Sequence, residues 1–313
     1  MRRTIWLASY PKSGNTWFRM LLANLGRDVP VDINDLPGRG GIASARRWFD
    51  EVMLFPSGLL THDECDRLRP RVYEAIADHA ADEVGAMAAG GGDPDRGPDA
   101  DAEVLDDVRF VKTHDAWTRT SGGEPVLGGR RAADAAILIV RDPRDVVASL
   151  ARHNRQSIDD AVGFMGRRTA AFCDREDRQP NQLRQQLSDW SAFHRGWIEQ
   201  TDLPVHQVRY EDLKEDVCGV FARALAFTGN TGSTVQIAQA ARFADFAALQ
   251  TQERERGFRE APRSRPGATA HAFFRQGIAG GWRSELSDDQ RTAIETMHGA
   301  MMIRLGYAPV ASA

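Results

Sequence analysis

Four apolar stretches, three of which end in charged side chains, constrain the fold of this chain more than any other feature. TIWLASY (4–10), VRFVKTH (108–114) and AAILIVRD (135–142) have the length and apolar character of buried strands, and PVHQVRYEDL (204–213), which alternates more, resembles a fourth. Helical patterns follow the first and third. Strands that alternate with helices predict an α/β fold with a central, mainly parallel sheet and helices on both faces.

The predicted strand ends carry side chains that suit a shared site. Lys12, His114, Arg141 and Tyr210 each lie at or just beyond the end of one apolar stretch. Ligands of parallel sheets collect at the carboxyl ends of the strands. We therefore expect these four side chains to meet at one edge of the sheet.

The remaining segments predict one domain over residues 1–313 that carries several loops. The stretches 85–103 and 119–131 are rich in glycine and polar residues and are predicted to be flexible loops. The segment 254–281 is rich in Arg, Gly and Pro, and a loop of this length predicts a mobile lid. A helix is predicted within 62–82.

Composition excludes several classes of partner. The chain has 313 residues, 42% of them apolar and 27% charged, and its net charge of −4 provides no basic field for nucleic acid or an anionic membrane. No stretch approaches the roughly 18 apolar residues that a membrane span requires. The cysteines Cys65, Cys173 and Cys218 show no disulfide or metal-ligand spacing. These features predict a cytoplasmic protein with no membrane span and no nucleic-acid partner.

The loop in YPKSGNTW has the character of an anion site. A helix that begins near Asn15 directs free N–H groups at the turn, Gly14 permits close approach, Lys12 adds charge, and Ser13 and Thr16 add hydroxyl donors. The lysine precedes the glycine, unlike the Gly-Lys-Ser/Thr of triphosphate loops. No acidic strand end suggests a partner for Mg²⁺, so a site that needs no metal is predicted. The alternative is a tight turn with an exposed lysine.

The KTH sequence at the end of the second predicted strand suggests proton transfer. Lys112 and His114 are two residues apart and point to the same face of a strand. Histidine is suited to take a proton from a hydroxyl near neutral pH, and a neighbouring lysine can neutralise a leaving oxygen. A hydrogen-bonded structural histidine is the alternative.

Two further motifs suit a second phosphate. In RDPRDVVASLARH, the guanidinium of Arg141 and the hydroxyl of Ser149 can bind such a group together. In RQGIAGG, Arg275 and Gly277 offer another guanidinium and a backbone able to close over an anion. A surface ion pair and an ordinary loop are the alternatives.

These four motifs, in this order, resemble those of the sulfotransferases that use 3′-phosphoadenosine 5′-phosphosulfate and release 3′,5′-ADP. The resemblance implies that His114 is the general base and that Lys12 and Lys112 support the transferring group. It also implies a nucleotide site formed by Lys12, Ser13, Gly14, Asn15, Thr16, Trp17, Arg141, Ser149, Tyr210, Phe243, Arg275, Gln276 and Gly277. Gln276 stands where the animal cytosolic branch has lysine, and that branch's dimer motif is not visible, so the oligomeric state stays open.

The resemblance implies a small-molecule acceptor with a hydroxyl group, but the sequence does not identify it. Phe49, Trp117, His153 and Phe164 are candidates for the acceptor pocket, with core packing as the alternative for each. The Ala, Arg, Gly and Asp content suggests a bacterial source. Rival interpretations are a nucleoside-triphosphate-dependent kinase with an altered loop, a membrane-anchored glycan sulfotransferase and a catalytically silent nucleotide-binding subunit.

Overall fold

The computed structural model describes residues 3–34, 36, 41–78, 105, 108–177, 180–261, 272–275 and 277–309. Four predictions fall partly or wholly elsewhere, one of them the helix within 62–82, whose residues 79–82 are not described. The loop predicted over 85–103 and the cofactor-site residue Gln276 lie outside the described residues, as do residues 262–271 of the predicted lid.

The predicted parallel sheet is confirmed. The strands are β1 (Arg3–Ser9), β2 (Val108–Thr113), β3 (Ala135–Val140), β4 (Ala171–Phe172), β5 (Gln185–Gln186) and β6 (Val205–Arg209). Four of them form a sheet in the order β2-β1-β3-β6, and all neighbours in it are parallel. The short strands β4 and β5 pair antiparallel in a separate ribbon.

Helices surround the sheet, as the sequence predicts, and the helix predicted within 62–82 is confirmed over its described part. The α-helices are α1 (Asn15–Asn24), α2 (Arg46–Met53), α3 (His62–Asp78), α4 (Pro143–Asn154), α5 (Ile158–Met165), α6 (Trp190–Glu199), α7 (Tyr210–Glu215), α8 (Val217–Phe227), α9 (Thr234–Phe243), α10 (Phe246–Arg256), α11 (Trp282–Glu285) and α12 (Asp288–Arg304). No helix among the described residues is both long and apolar enough to cross a membrane.

The core has two apolar layers because side chains alternate along buried strands. In β1, Ile5 and Leu7 pack with α1, α8 and α9 on one face of the sheet. Trp6 and Ala8 pack on the other face with α3, α4, α6 and α12. Both layers are apolar, so neither face of the sheet is solvated. The predicted loop 119–131 has no β-strand, ends in a short 3-10 helix (Gly129–Arg131) and buries Val126 and Leu127.

The register of the sheet brings the strand ends together. Leu7 of β1 lies opposite Lys112 of β2, and Ser9 lies opposite Ile139 of β3. The chain segments that leave β1, β2 and β3 therefore emerge side by side at the carboxyl edge. The four motifs of the sequence all meet at this edge.

Candidate active site

A cavity of about 690 Å³ opens at the carboxyl edge of the sheet. It is lined by thirteen of the residues that the sequence places in a site, namely Lys12, Gly14, Asn15, Thr16, Trp17, Lys112, His114, Arg141, Ser149, His153, Tyr210, Arg275 and Gly277. The structure thus brings four motifs from distant parts of the chain into one cavity.

The loop between β1 and α1 has the backbone of an anion-binding turn. Lys12 and Gly14 both adopt positive φ, 70° and 103°, and Gly14 is the N-cap of α1. A Cβ at Gly14 would lie 2.6 Å from the Tyr210 ring, so only glycine fits there. α1 then begins at Asn15 with its free N–H groups and positive dipole end at this turn.

Buried polar atoms near this turn that have no partner among the described residues include Ser13 Oγ, Asn15 Oδ1 and Arg141 Nε. The Nδ2 of Asn15 braces the loop, since it donates to the Leu7 carbonyl at 3.0 Å and to Ser9 Oγ at 3.1 Å. Buried donors are normally paired. The free N–H groups at the start of α1, with Lys12 and Arg141 on the cavity wall beside them, fit a phosphate group.

The hydrogen bonding of His114 determines which ring nitrogen can act as a base. His114 Nδ1 lies 2.7 Å from the Ser9 carbonyl oxygen, which can only accept, so Nδ1 carries the hydrogen. Nε2 is left with a lone pair. Burial, followed by the charge of Lys112, lowers the pKa of His114 to about 3, so the ring is neutral at pH 7.

A buried ion-pair frame holds the turn that follows β2. The guanidinium of Arg69 on α3 binds the Asp115 carboxylate through two hydrogen bonds, of 3.0 and 2.5 Å, and both side chains are almost fully buried. Asp115 also accepts from the Gln186 N–H at 3.0 Å, and Arg69 donates to the Arg184 carbonyl at 3.0 Å. The frame therefore ties His114's turn to α3 and β5.

The two lysines of the site face different neighbours. Lys12 Nζ lies 4.1 Å from the centre of the Phe273 ring, and burial, followed by the charges of Lys112 and Arg141, lowers its pKa to about 8. Lys112 Nζ lies 3.5 Å from Glu260 Oε2. Burial lowers the pKa of Lys112, and the charge of Glu260 opposes that shift.

Glu260 brings a negative charge into a site expected to bind anions. Its carboxylate accepts from Arg19 Nη1 at 2.6 Å and from Thr16 Oγ1 at 3.4 Å. Burial alone raises the pKa of Glu260, but the charges of Lys112 and Arg19 outweigh burial and lower it to about 2. Glu260 is therefore ionised near neutral pH and occupies the basic end of the cavity.

The glycine-rich turn near the carboxyl end of the chain is anchored to α4. Asp145 accepts from the backbone N–H groups of Gly280 at 2.7 Å and Trp282 at 2.9 Å. Arg141 donates to the Ile278 carbonyl at 3.0 Å, and its guanidinium lies 4.2 Å from the Tyr210 ring centre. The side chain of Asp145 thus holds two motifs together.

Arg275 and Arg152 of α4 bind the same carboxylate. Arg275 pairs with Glu285, which also accepts from Arg152 at 2.7 Å. Gly277 has a φ of 59°, and a Cβ there would lie 2.5 Å from Phe246, so this turn also requires glycine. Both Arg275 and Gly277 line the cavity.

Five predicted site residues do not line the cavity. Ser13 is fully buried beneath the loop, and Phe49 belongs to the core. Trp117 packs against Trp197, with ring centres 5.0 Å apart. Phe164 stacks on Phe172, and Phe243 lies at the end of α9.

The cavity is also lined by residues that sequence reasoning missed, including Arg19, Phe172, Gln182, Gln185, Phe246 and Glu260. Arg19 lies four residues after Asn15 and so shares its face of α1, which is a usable signal. Phe246 lies three residues beyond Phe243. Glu260 and the two glutamines have no local pattern that distinguishes them.

The described part of the chain contains no group of three or more His, Cys, Asp or Glu side chains able to hold a metal ion. The charged side chains that line the cavity come from distant segments of the chain and include the cations Lys12, Arg19, Lys112, Arg141, Arg152, Arg259 and Arg275 and the carboxylates Asp145, Glu260 and Glu285.

A family model described as "Sulfotransferase domain" matches residues 134–306, which is more than half of the chain. Among curated proteins, a search by sequence finds no match.

Solved sulfotransferase structures share the fold. Retinol dehydratase in complex with androsterone and the inactive cofactor PAP is 18% identical with a TM-score of 0.53, over 100% of this chain and 83% of that one. Mouse SULT7A1 complexed with PAP is 16% identical with a TM-score of 0.54, over 96% of this chain and 84% of that one. A complex of retinol dehydratase with retinol and PAP is 18% identical with a TM-score of 0.50, over 100% and 84%.

At these identities the structural likeness establishes the fold, and the family model establishes membership. The matched range includes Arg141, Ser149 and the glycine-rich turn at Gly277–Gly281. The chain belongs to the sulfotransferase family.

Proposed function

We propose that this protein transfers the sulfonate of 3′-phosphoadenosine 5′-phosphosulfate to a hydroxyl group of a small-molecule acceptor, with His114 as the general base. One observation carries the proposal. His114, with its Nε2 lone pair available, shares a cavity with Lys12, Lys112 and the loop that ends at Gly14.

The residues present fit the donor. Lys12 and Arg141 line the cavity, and the N-terminus of α1 adds free N–H groups. We propose that Lys12 to Thr16 hold the 5′ end, that Trp17 and Tyr210 flank the base, and that Arg141, Ser149, Arg275 and Gly277 hold the 3′-phosphate. The PAP found in the crystal structures of retinol dehydratase and SULT7A1 supports this choice.

The chain's own residues would provide proton transfer and charge. When bound, the donor supplies a sulfonate whose bond to the 5′-phosphate oxygen breaks as the acceptor oxygen bonds to sulfur, with the electron pair left on the phosphate. His114 Nε2 accepts the hydroxyl proton, while Nδ1–H stays bound to the Ser9 carbonyl. Lys12 and Lys112 stabilise negative charge that develops beside them.

We also propose that the segment 254–281 covers the donor. Its described residues Glu260, Phe273, Phe274 and Gly277 line the cavity. The backbone N–H groups of Phe273 and Phe274 donate to Glu253 of α10 at 2.6 and 2.8 Å, which holds this part of the segment over Lys12. For the acceptor, the androsterone and retinol bound by retinol dehydratase support a small molecule.

Substitution of His114 tests the proposal. We expect His114→Ala to lower kcat by about 10²- to 10⁴-fold, because a positioned general base contributes that much. The assay measures 3′,5′-ADP release from the sulfonate donor with a panel of phenols and alcohols. His62→Ala, a change at the start of α3 outside the cavity, is the matched control.

Calorimetry separates loss of catalysis from loss of binding. We expect 3′,5′-ADP to bind the wild type and His114→Ala equally well. We also expect it to bind more tightly than ATP, because 3′,5′-ADP carries a 3′-phosphate and ATP does not. Full activity in His114→Ala would exclude it as the base. Preference for ATP would favour a kinase.

A further inference from the structure

Asn15, the first residue of α1, uses its side chain inside the protein. Its Nδ2 donates to the Leu7 carbonyl at 3.0 Å and to Ser9 Oγ at 3.1 Å, both on β1. The Leu7 carbonyl can only accept, so the atom beside it is the amide nitrogen and the orientation of the amide is fixed. Asn15 is only 4% exposed, and its Oδ1 is buried. The side chain therefore offers no hydrogen bond to a ligand in the cavity.

Ser9, the last residue of β1, contacts His114 through two oxygens. Its carbonyl oxygen lies 2.7 Å from His114 Nδ1, and its hydroxyl oxygen lies 3.3 Å from the same atom. Nδ1 carries the ring hydrogen, and the Ser9 hydroxyl, which already accepts from Asn15, offers a second lone pair to it. Ser9 is fully buried and is not among the described residues that line the cavity. Its hydroxyl can therefore influence a bound molecule only through a neighbour such as His114.

The contacts from Asn15 through Ser9 to His114 join the two halves of the proposed reaction centre. The backbone N–H of Asn15 is among the first N–H groups of α1, which are proposed to hold the 5′ end of the donor. From the same residue, the side chain connects to Ser9 and then to the base. Two hydrogen-bonded contacts therefore set the separation between the group that binds the donor and the group that takes the proton of the acceptor.

The same contacts favour the protonated form of the base. Burial and the charge of Lys112 lower the pKa of His114, and the hydrogen bond to the Ser9 carbonyl opposes that shift. When Nε2 accepts a proton, the ring becomes a cation and the bonds made by Nδ1–H strengthen. The Ser9 hydroxyl, held as an acceptor by Asn15, adds a second partner for this charge.

We infer that Asn15 is a positioning residue for the general base: acting through Ser9, its side chain holds the His114 ring with Nδ1–H turned to β1 and Nε2 free for the acceptor. The inference rests on the proposed function. It gives the side chain of Asn15 a part in proton transfer, whereas its backbone N–H stays in the donor site. This role differs from the nucleotide contact that the sequence resemblance implies for the residue.

Ser9→Ala breaks the connection with the smallest change. The assay follows a single turnover with enzyme in excess of the sulfonate donor, so that chemistry is measured and product release is not. We expect the rate to fall by about tenfold, because one hydrogen bond to a developing cation is lost, while the Kd for 3′,5′-ADP stays unchanged. Ser191→Ala is the matched control: Ser191 Oγ lies 2.9 Å from His298 Nδ1, a buried contact of the same kind whose residues do not line the cavity, and neither quantity should change.

Asn15→Ala removes the other end of the connection. At saturating donor we expect it to slow the single turnover by about tenfold, because a misplaced base loses rate steeply. Residues that act through one ring are not additive, so the double variant Ser9→Ala/Asn15→Ala should be no slower than the slower single variant. For the same reason neither change should slow His114→Ala further. A side chain that held the donor would instead raise the Kd for 3′,5′-ADP.

Nitrogen NMR of wild-type protein labelled at histidine tests the inference without these variants. The His114 signals, identified by their absence from His114→Ala, should show the hydrogen on Nδ1. A hydrogen on Nε2 would overturn the inference whether or not Ser9→Ala and Asn15→Ala fold.

The kinetic outcomes separate the inference from the proposed function. Wild-type single-turnover rates in both Ser9→Ala and Asn15→Ala would overturn the inference and leave the proposed function standing. Losses that multiply in the double variant, or that recur in the His114→Ala background, would overturn it as well, since the residues would then act independently. If the wild type neither binds 3′,5′-ADP nor transfers sulfonate, both fail.

Discussion

Lys12 combines a strained backbone with a displaced pKa. Its φ of 70° is uncommon for a residue with a side chain, and such a conformation persists only where the surrounding structure enforces it. Its ammonium lies over the Phe273 ring, and its pKa falls to about 8 because of burial and the neighbouring charges of Lys112 and Arg141. The charge of Lys12 is therefore lost as the pH rises through a range in which ordinary lysines stay protonated.

We expect kcat/KM for the donor to fall as the pH rises through about 8, because a deprotonated Lys12 no longer attracts the anionic donor. No acidic limb is expected above pH 5, since the pKa of His114 is about 3 and the ring stays neutral there. Lys12→Arg should move the alkaline limb upward, because a guanidinium keeps its charge. Rate profiles from pH 5 to 10 measure the alkaline limb and show whether an acidic limb is present.

Lys214→Arg provides the control for this profile. Lys214 lies near the Trp17 ring but does not line the cavity, so its replacement should leave the alkaline limb in place. An alkaline limb that is identical in the wild type and Lys12→Arg would assign the limb to another group.

At the scale of elements, the Arg69–Asp115 pair joins α3, the end of β2 and β5. Both partners are almost fully buried, and Asp66 adds a second carboxylate 3.2 Å from Arg69 Nη1. A buried pair contributes little net stability compared with an apolar replacement of both partners, but removal of one partner leaves an uncompensated charge. The value of this frame is that it orients the turn carrying His114.

We expect Arg69→Met to lower the free energy of unfolding by about 3–5 kcal/mol, because Asp115 remains buried without its cation, whereas Asp66 keeps Arg184. Urea denaturation measures the change. Arg175→Met is the matched control: Arg175 pairs with Asp177 at the surface, and we expect no measurable loss. A loss for Arg69→Met as small as that of the control would show that the buried carboxylates find other partners.

The elements were largely predictable, whereas the site was predictable only in part. The four sheet strands are short apolar runs, a local signal, and their observed bounds differ from the prediction by at most four residues. β4 and β5 have two residues each and no periodicity, so Phe172 and Gln185 carried no signal. Lys112 and Glu260 are 148 residues apart, and their contact depends on the whole fold. Phe243 was predicted to flank the nucleotide, but Phe246, three residues further along the chain, lines the cavity instead. The sequence spacing does not show that one helix ends at Phe243 and the next begins at Phe246.

At the scale of the whole molecule, Glu260 joins parts of the chain that the sequence separates widely. It follows α10, yet it binds Arg19 and Thr16 of α1 and Lys112 of β2. This carboxylate neutralises cations that the donor's anionic end is proposed to meet. Donor and Glu260 therefore compete for the same positive charges.

We expect Glu260→Gln to lower the Kd for 3′,5′-ADP by about three- to tenfold at low salt, because one negative charge leaves the basic end of the cavity. The gain should shrink as ionic strength rises. Isothermal calorimetry measures both effects. Glu255→Gln, an exposed change on α10, is the control and should alter neither. Weaker binding by Glu260→Gln would mean that Glu260 orders the site for the nucleotide.

The ion-pair frame around Arg69 has a consequence for how this fold diversifies. His114 and Gln185 are attached to one frame, whereas Gly14 and Arg141 belong to the starts of α1 and α4. We therefore expect a short exchange of chain around β5 to change the cavity wall without disturbing the loops that are proposed to hold the nucleotide. The choice of acceptor and the binding of the donor would then be separable properties of this molecule.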